Sequence, residues 1–268
     1  MEMMPSWIFY LFAGLIGACV GSFLNVCIQR LPYGESIVWP PSHCRRCDHR
    51  LSWYENIPLL SYIALLGKCR KCKGQISPQY FIVELISAVF SLVCWAYFQD
   101  IKLYFAYYVL FIAPLIIVTF IDLEHRIIPN SISLPGIIVG FGVHMLHMGK
   151  GQIATAAIDS AIGVLVGGGF LFIVAFLYEK LKKQEGLGGG DVKLAAMLGA
   201  FFGWRAVIFI LLTASVLGSV IGIILMIAYR KNMKFAIPFG PFLAGAGIIY
   251  LFFGAQFIGW YLGMIFAR

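Results

Sequence analysis

The chain has 268 residues, of which 61% are hydrophobic and 12% charged, against roughly 25% charged in ordinary soluble domains. So few charges cannot cover a water-soluble globule of this size, and a bilayer is the expected solvent for most of the chain. The formal net charge of +8 is best tolerated beside the cytoplasmic leaflet.

A spanning helix needs about 20 apolar residues. The apolar runs predict about eight spans, near 6–28, 79–98, 101–121, 131–148, 153–178, 191–203, 205–229 and 236–262. The sixth is short and meets the seventh at Gly203-Trp204-Arg205, so the two also read as one kinked segment, with seven spans as the second choice. No basic residue precedes the first run and Arg30 follows it, the reverse of a secretory leader, so it is expected to be retained. The same charge order speaks against a lipoprotein box at Ile16-Gly17-Ala18-Cys19.

Basic residues predict the orientation. Between the first two spans lie Arg30, Arg45, Arg46, Arg50, Lys68, Arg70, Lys71 and Lys73, opposed by Glu35, Asp48 and Glu55. That places this loop in the cytoplasm and the N-terminus outside. With eight spans, His125-Arg126, then Lys180, Lys182 and Lys183, then Arg230, Lys231 and Lys234 also fall inside. The predicted fold is an all-α polytopic membrane protein with one small cytoplasmic subdomain, and no nucleic-acid partner is expected.

That subdomain spans about 31–78 and holds Cys44-Arg45-Arg46-Cys47 and Cys69-Arg70-Lys71-Cys72. Two Cys-x-x-Cys pairs at this separation predict four thiolates on one tetrahedral Zn²⁺, which closes the coordination sphere and makes the site structural. A loop this short has little core, so metal binding would supply much of its folding energy. Flanking Arg45, Arg46, Arg70 and Lys71 are expected to lower the thiol pKa values, and His43 and His49 are possible substitute ligands. A redox or disulfide pair is disfavoured by a reducing cytoplasm. Cys19, Cys27 and Cys94 lie in apolar runs and are expected to be packed as small hydrophobes.

Ionisable residues within or at the ends of spans are functional candidates by default: here Glu84, Asp122, Glu124, Asp159, Glu179, Asp191 and Lys193. Asp122 ends the third span ahead of Pro129, which cannot continue a helix, and Asn130 is a candidate N-cap for the fourth. Asp191 follows Gly186-Leu187-Gly188-Gly189-Gly190, a stretch that allows turns and close backbone approach. The eight-span topology puts both aspartates at the same cytoplasmic depth, where they can meet. Two carboxylates in a partly dry site cannot both ionise easily, so one acts as base and the other as acid towards a water molecule. Helix dipoles favour Asp191 as the anion and Asp122 as the protonated partner. Each alone also reads as an ordinary helix-end charge or cap. Gly190-Asp191-Val192-Lys193 lacks the Gly-Lys-Ser/Thr ending of a phosphate-binding loop.

At these residues the sequence resembles the type IV prepilin peptidases, bifunctional leader peptidases and N-methyltransferases of bacterial pilus and type II secretion systems. The resemblance runs from about 10 to 230. It rests on Gly21-Ser22-Phe23-Leu24-Asn25-Val26, the double Cys-x-x-Cys loop, Trp53-Tyr54-Glu55-Asn56-Ile57-Pro58, the Asp122 to Asn130 run and Gly188-Gly189-Gly190-Asp191-Val192-Lys193. It implies that Asp122 and Asp191 are the protease pair, and that a prepilin or pseudopilin held in the bilayer is cut after a glycine at the cytoplasmic surface. It further implies methylation of the new N-terminus with S-adenosylmethionine. The implied division is a methyltransferase-associated region over 1–98 and a membrane aspartyl peptidase domain over 99–268. No Rossmann fingerprint locates the methyl donor. Glu55, Asn56 and Glu84 are the candidates, because a sulfonium donor and an amine acceptor both favour nearby carboxylates. Capping for Glu55 and Asn56, and pairing with a neighbouring polar group for Glu84, are the plainer readings. Rival functions are a presenilin-like aspartyl protease and an ion transporter whose acids relay charge.

Overall fold

The computed structural model describes residues 6–183, 188–229 and 237–266, so the Gly186-Leu187 dipeptide and the Arg230, Lys231 and Lys234 cluster lie outside the described residues. The chain divides into two compact units, Met1–Ile117 and Val118–Arg268.

In the first unit, α1 (Ser6–Arg30) leads into the polar loop, which contains a short 3₁₀ turn, Trp53–Asn56, and α2 (Leu60–Ala64); α3 (Pro78–Phe98) follows. Pro78 opens α3 behind Ser77, whose hydroxyl accepts the Gln79 N–H at 3.3 Å, a standard N-terminal cap. Asp100 caps α4 (Ile101–Tyr104) through the N–H groups of Lys102 and Leu103. A π-helical stretch, Phe105–Ile112, then passes into α5 (Ala113–His125). Small residues let α1 and α3 approach to backbone contact. A Cβ on Gly17 would lie 2.7 Å from the Ala88 Cα, and one on Gly21 would lie 2.7 Å from the Glu84 Cα. Such small-residue crossings are how helices associate where lipid removes the hydrophobic drive. The closeness admits two parallel hydrogen-bond triads. Ser87 Oγ donates to Gly17 O at 2.8 Å and meets Tyr108 OH at 2.8 Å. One helical turn on, Ser91 Oγ donates to Ala13 O at 2.6 Å and meets Tyr104 OH at 2.7 Å. Of the three apolar-run cysteines, Cys27 and Cys94 are packed as expected; Cys19 instead is exposed on α1.

The second unit contains α6 (Asn130–Met148), α7 (Ile153–Lys182), α8 (Gly189–Tyr229) and α9 (Gly240–Phe266). Gly163 and Gly199 bring α7 and α8 into backbone contact, since a Cβ on either would overlap the other's carbonyl. Among the described residues, six helices are long and apolar enough to cross a membrane. α8 is continuous except at Gly203, where φ 79° and ψ 178° demand a glycine. The break yields two arms matching the sixth and seventh expected spans, and α9 falls within the eighth, its apolar part Gly240–Gly254 being shorter than a full span among the described residues. The bonds lost at the break are recovered from neighbouring helices: Ser160 Oγ donates to Ala200 O at 2.9 Å, and His144 Nδ1 lies 3.1 Å from Phe201 O. His144 Nε2 lies 3.3 Å from Asp159 Oδ2, ion-pair range without hydrogen-bond alignment, and the Asp159 carboxylate fills the space a Gly203 side chain would need.

Gly199→Ala should therefore lower stability by about 1–3 kcal/mol, the cost of overpacking a tight contact. Gly169→Ala, on α7 with open space beyond it, should be neutral; thermal unfolding in detergent separates the two.

Candidate active site and metal centre

The polar loop contains two turns of one design. In the first, Asp48 N–H donates to Cys44 O and Cys44 N–H to His49 O; in the second, Lys73 N–H donates to Cys69 O and Cys69 N–H to Gly74 O. Each is closed by a bridge, His43 with Arg50 and Lys68 with Gln75. The residue after each second cysteine, Asp48 or Lys73, takes a positive φ near 55° (53° and 57°), which bends the chain around the thiols. The four sulfurs of Cys44, Cys47, Cys69 and Cys72 lie within 4.8 Å of one another, and Cys44 Sγ is 3.9 Å from Cys72 Sγ. A tetrahedron of Zn–S bonds about 2.3 Å long has edges of about 3.8 Å, so the cluster fits such an ion. Backbone N–H groups, first that of Cys72 and then that of Lys71, hold the Cys69 thiol down to about 6 against the cost of burial. Cys47 accepts the His49 N–H, yet loss of water and the neighbouring thiols push it up to about 11. For Cys69 the lowering groups are thus main-chain N–H donors and the Cys44 and Cys72 thiols, with no flanking arginine among them. His43 and His49 stand outside the cluster: His43 Nδ1 lies 3.1 Å from Pro41 O, and His49 Nε2 lies 3.2 Å from Glu55 Oε2.

Glu55 forms a capping box. Its Oε2 accepts the Ser52 N–H at 2.8 Å while the Ser52 side chain takes the Glu55 N–H, each satisfying a donor the short helix leaves open. Glu55 Oε1 is buried without a partner, and the adjacent Asn56 is exposed. Glu84, buried on α3, accepts the Leu59 N–H at 2.7 Å and a bond from Ser22. Leu59 sits in a tight γ-turn (φ 61°, ψ −50°) closed by Leu60 N–H to Pro58 O at 2.6 Å, a strained conformation that the carboxylate holds. Glu55 and Glu84 therefore pin the two ends of the Trp53 to Pro58 segment.

In the second unit, Asp122 and Asp191 are both buried, at 5% and 9% exposure, and within electrostatic reach of each other. Asp122 lies in the last turn of α5, which ends where Arg126 adopts φ 57°. Asp191 is the third residue of α8, with its N–H on Gly188 O. Ile128 packs against a glycine beside each helix start. A Cβ on Gly190 would lie 2.8 Å from the Ile128 Cβ, and one on Gly240 would lie 3.1 Å from its Cδ1. Asn130 opens α6 as its first residue, behind Pro129, and makes no cap; its Oδ1 accepts Lys193 Nζ at 2.7 Å, a tether between α6 and α8. Each carboxylate has a main-chain donor: Asp122 Oδ2 accepts the Gly240 N–H at 3.0 Å, and Asp191 takes a bond from Gly188 while its Oδ1 is buried without a partner. Gly240 and Ile128 are missing from the sequence reading. Gly240-Pro241 marks the start of a helix, but no local signal pairs it with an acid 118 residues earlier. Glu124 and Glu179 are exposed.

Residues 15–98 match the bacterial peptidase A24 N-terminal domain, and residues 109–223 match the type IV leader peptidase family. Among curated relatives, a prepilin leader peptidase/N-methyltransferase of Myxococcus xanthus (strain DK1622) is 40% identical over 82% of this chain and 64% of its own length. Relatives with the same description from Aeromonas salmonicida (strain A449) and Pseudomonas putida are 33% and 34% identical, over 97% and 96% of this chain and 96% and 94% of theirs. No solved structure matches.

The Ser52 N–H and His49 hold the Glu55 carboxyl below its ordinary value of 4.5. The cap's contribution is thus fully present above that value and lost as the pH falls through the lower folded-state one. The protection of the Ser52 amide, its exchange rate relative to that of a free amide at the same pH, should fall on acidification in that range, and Glu55→Gln should flatten the pH dependence.

Proposed function

The chain belongs to the type IV leader peptidase family, and from that premise we propose that it cleaves the leader of type IV prepilins or pseudopilins after a glycine, using Asp122 and Asp191. The cut falls at the cytoplasmic surface of the bacterial inner membrane, with the N-terminus outside and the cysteine loop inside, as the basic residues argue. The observation that carries this reading is the pair of buried carboxylates within electrostatic reach of each other, one oxygen of which has no partner. Two such groups share a proton and titrate as a unit. Water attacks the scissile carbonyl carbon while one carboxylate takes a proton from that water and the other gives its proton to the carbonyl oxygen. Collapse of the tetrahedral intermediate breaks the C–N bond, and the proton taken from water passes to the leaving amine. The family match across both segments disfavours the presenilin-like and transporter readings.

The second activity, methylation of the new N-terminus from S-adenosylmethionine, we assign to the region 1–98, and the peptidase to 99–268. On the donor side we place Glu55, Asn56 and Glu84. The open Oε1 of Glu55 and the exposed Asn56 amide offer polar contacts, and Glu84 holds the segment that carries them. S-adenosylmethionine, when bound, supplies the methyl group. Cys44, Cys47, Cys69 and Cys72 are the ligands of a structural zinc; with four thiolates the site has no open position, so it staples the loop and does not react.

Asp122→Asn and Asp191→Asn should each reduce prepilin cleavage by about 10³-fold or more, as loss of one member of a catalytic unit does. Methyl transfer to an already cleaved pilin should survive both substitutions; normal cleavage by either variant would remove the aspartate assignment. Metal analysis of the purified protein should find zinc that Cys69→Ser removes, with protease sensitivity rising in residues 31–78. A zinc-free protein with a resistant loop would end the structural-metal reading.

A further inference from the structure

The aspartate pair has a third participant that is neither acidic nor near it in sequence. Gly240 is the first residue of α9, and the opening N–H groups of a helix have no partner within it. The Gly240 N–H finds one in Asp122 Oδ2 at 3.0 Å, in a buried bond. Its lack of a side chain is what permits this. A Cβ there would stand 2.6 Å from Asp122 Oδ2 and 3.1 Å from Ile128 Cδ1, too close for either to remain in place. The Asp191 carboxylate has a main-chain donor of its own in Gly188, at the start of its own helix, but its Oδ1 is buried with no partner.

We propose that Gly240 is a positioning residue of the peptidase, whose main-chain N–H fixes Asp122 as the unprotonated partner that takes the proton of the attacking water and leaves Asp191 as the partner that gives one. This rests on the aspartyl reading above. An oxygen that accepts an N–H bond has its lone pair engaged and is a poor seat for the shared proton, whereas Asp191 Oδ1 has no such engagement. The N-terminus of α9 adds positive potential on the same side. Ile128 keeps the arrangement in register, wedged between the bare Cα positions of Gly190 and Gly240.

A side chain at Gly240 displaces the carboxylate that its N–H holds. With a prepilin substrate, kcat in Gly240→Ala should fall ~10- to 100-fold, the range spanned by a hydrogen bond to a charged group. KM should stay within about twofold, since the bond acts on the chemical step and not on uniform binding. Unchanged kcat in Gly240→Ala overturns the proposal. An independent measurement needs no change at Gly240: its amide should resist hydrogen exchange in the parent protein and in Asp191→Ala but exchange freely in Asp122→Ala. Equal protection in all three also overturns it. Loss of cleavage in both Asp→Asn variants with either of these negative results removes the role of Gly240 alone, whereas retained cleavage in an Asp→Asn variant removes the aspartyl reading itself.

Discussion

Hydrocarbon offers a polypeptide no water, so a main-chain N–H or C=O that leaves its helical partner inside a bilayer must find another within the protein. The departures from regular helix in this molecule are arranged around that constraint. At Gly203 the helix breaks, and the carbonyls of Ala200 and Phe201 are taken up by Ser160 on α7 and His144 on α6. At the start of α9 the Gly240 N–H goes to Asp122. The first repair is structural and the second lies in the proposed active site, but both use a side chain from a distant segment to satisfy a helix end.

Glycine makes these repairs reachable, through space more than flexibility. Ser87 and Ser91 reach the carbonyls of Gly17 and Ala13 only because α1 and α3 touch at Gly17 and Gly21. The polar loop, outside the apolar runs, solves its folding problem differently. It has too few buried apolar side chains to form a core, and relies on four clustered thiols and on carboxylates that accept N–H groups at Ser52 and Leu59. The membrane region is thus held by backbone proximity and the loop by polar staples, each suited to its solvent.

What the sequence made legible follows from how local each signal is. Apolar runs longer than about 18 residues, the Cys-x-x-Cys spacing and acids at the ends of spans are read within a short window, and the structure places the corresponding helices, the sulfur cluster and the two buried aspartates accordingly. The ambiguity between the sixth and seventh spans was physical: α8 is one helix interrupted by a single residue, and a φ of 79° at Gly203 leaves no trace in hydropathy. Illegible were the pairings across long separations, His144 with Asp159, Glu84 with Leu59 and Gly240 with Asp122, because nothing local selects among several possible partners. The thiols illustrate a subtler failure. Arg45, Arg46, Arg70 and Lys71 drew attention as their neighbours, yet the groups that lower Cys69 are the N–H donors of Cys72 and Lys71, which exist in any chain that makes this turn.

The same distinction bears on the roles proposed for the aspartates. Reasoning from each residue's own helix ranks Asp191, in the first turn of α8, as the better anion than Asp122, in the last turn of α5. That effect is worth about 0.3–1 kcal/mol. A direct hydrogen bond to a charged group is worth about 1.5–3 kcal/mol; Asp122 takes one from Gly240 on another helix, while Asp191 takes one from Gly188 beside its own helix and leaves Oδ1 without a partner. In the proposed assignment the bond to Asp122 outweighs the diffuse field, and its donor opens a third helix 118 residues further along the sequence. An acid at the end of a span is therefore assigned its role less by the helix that carries it than by whichever other helix begins beside it.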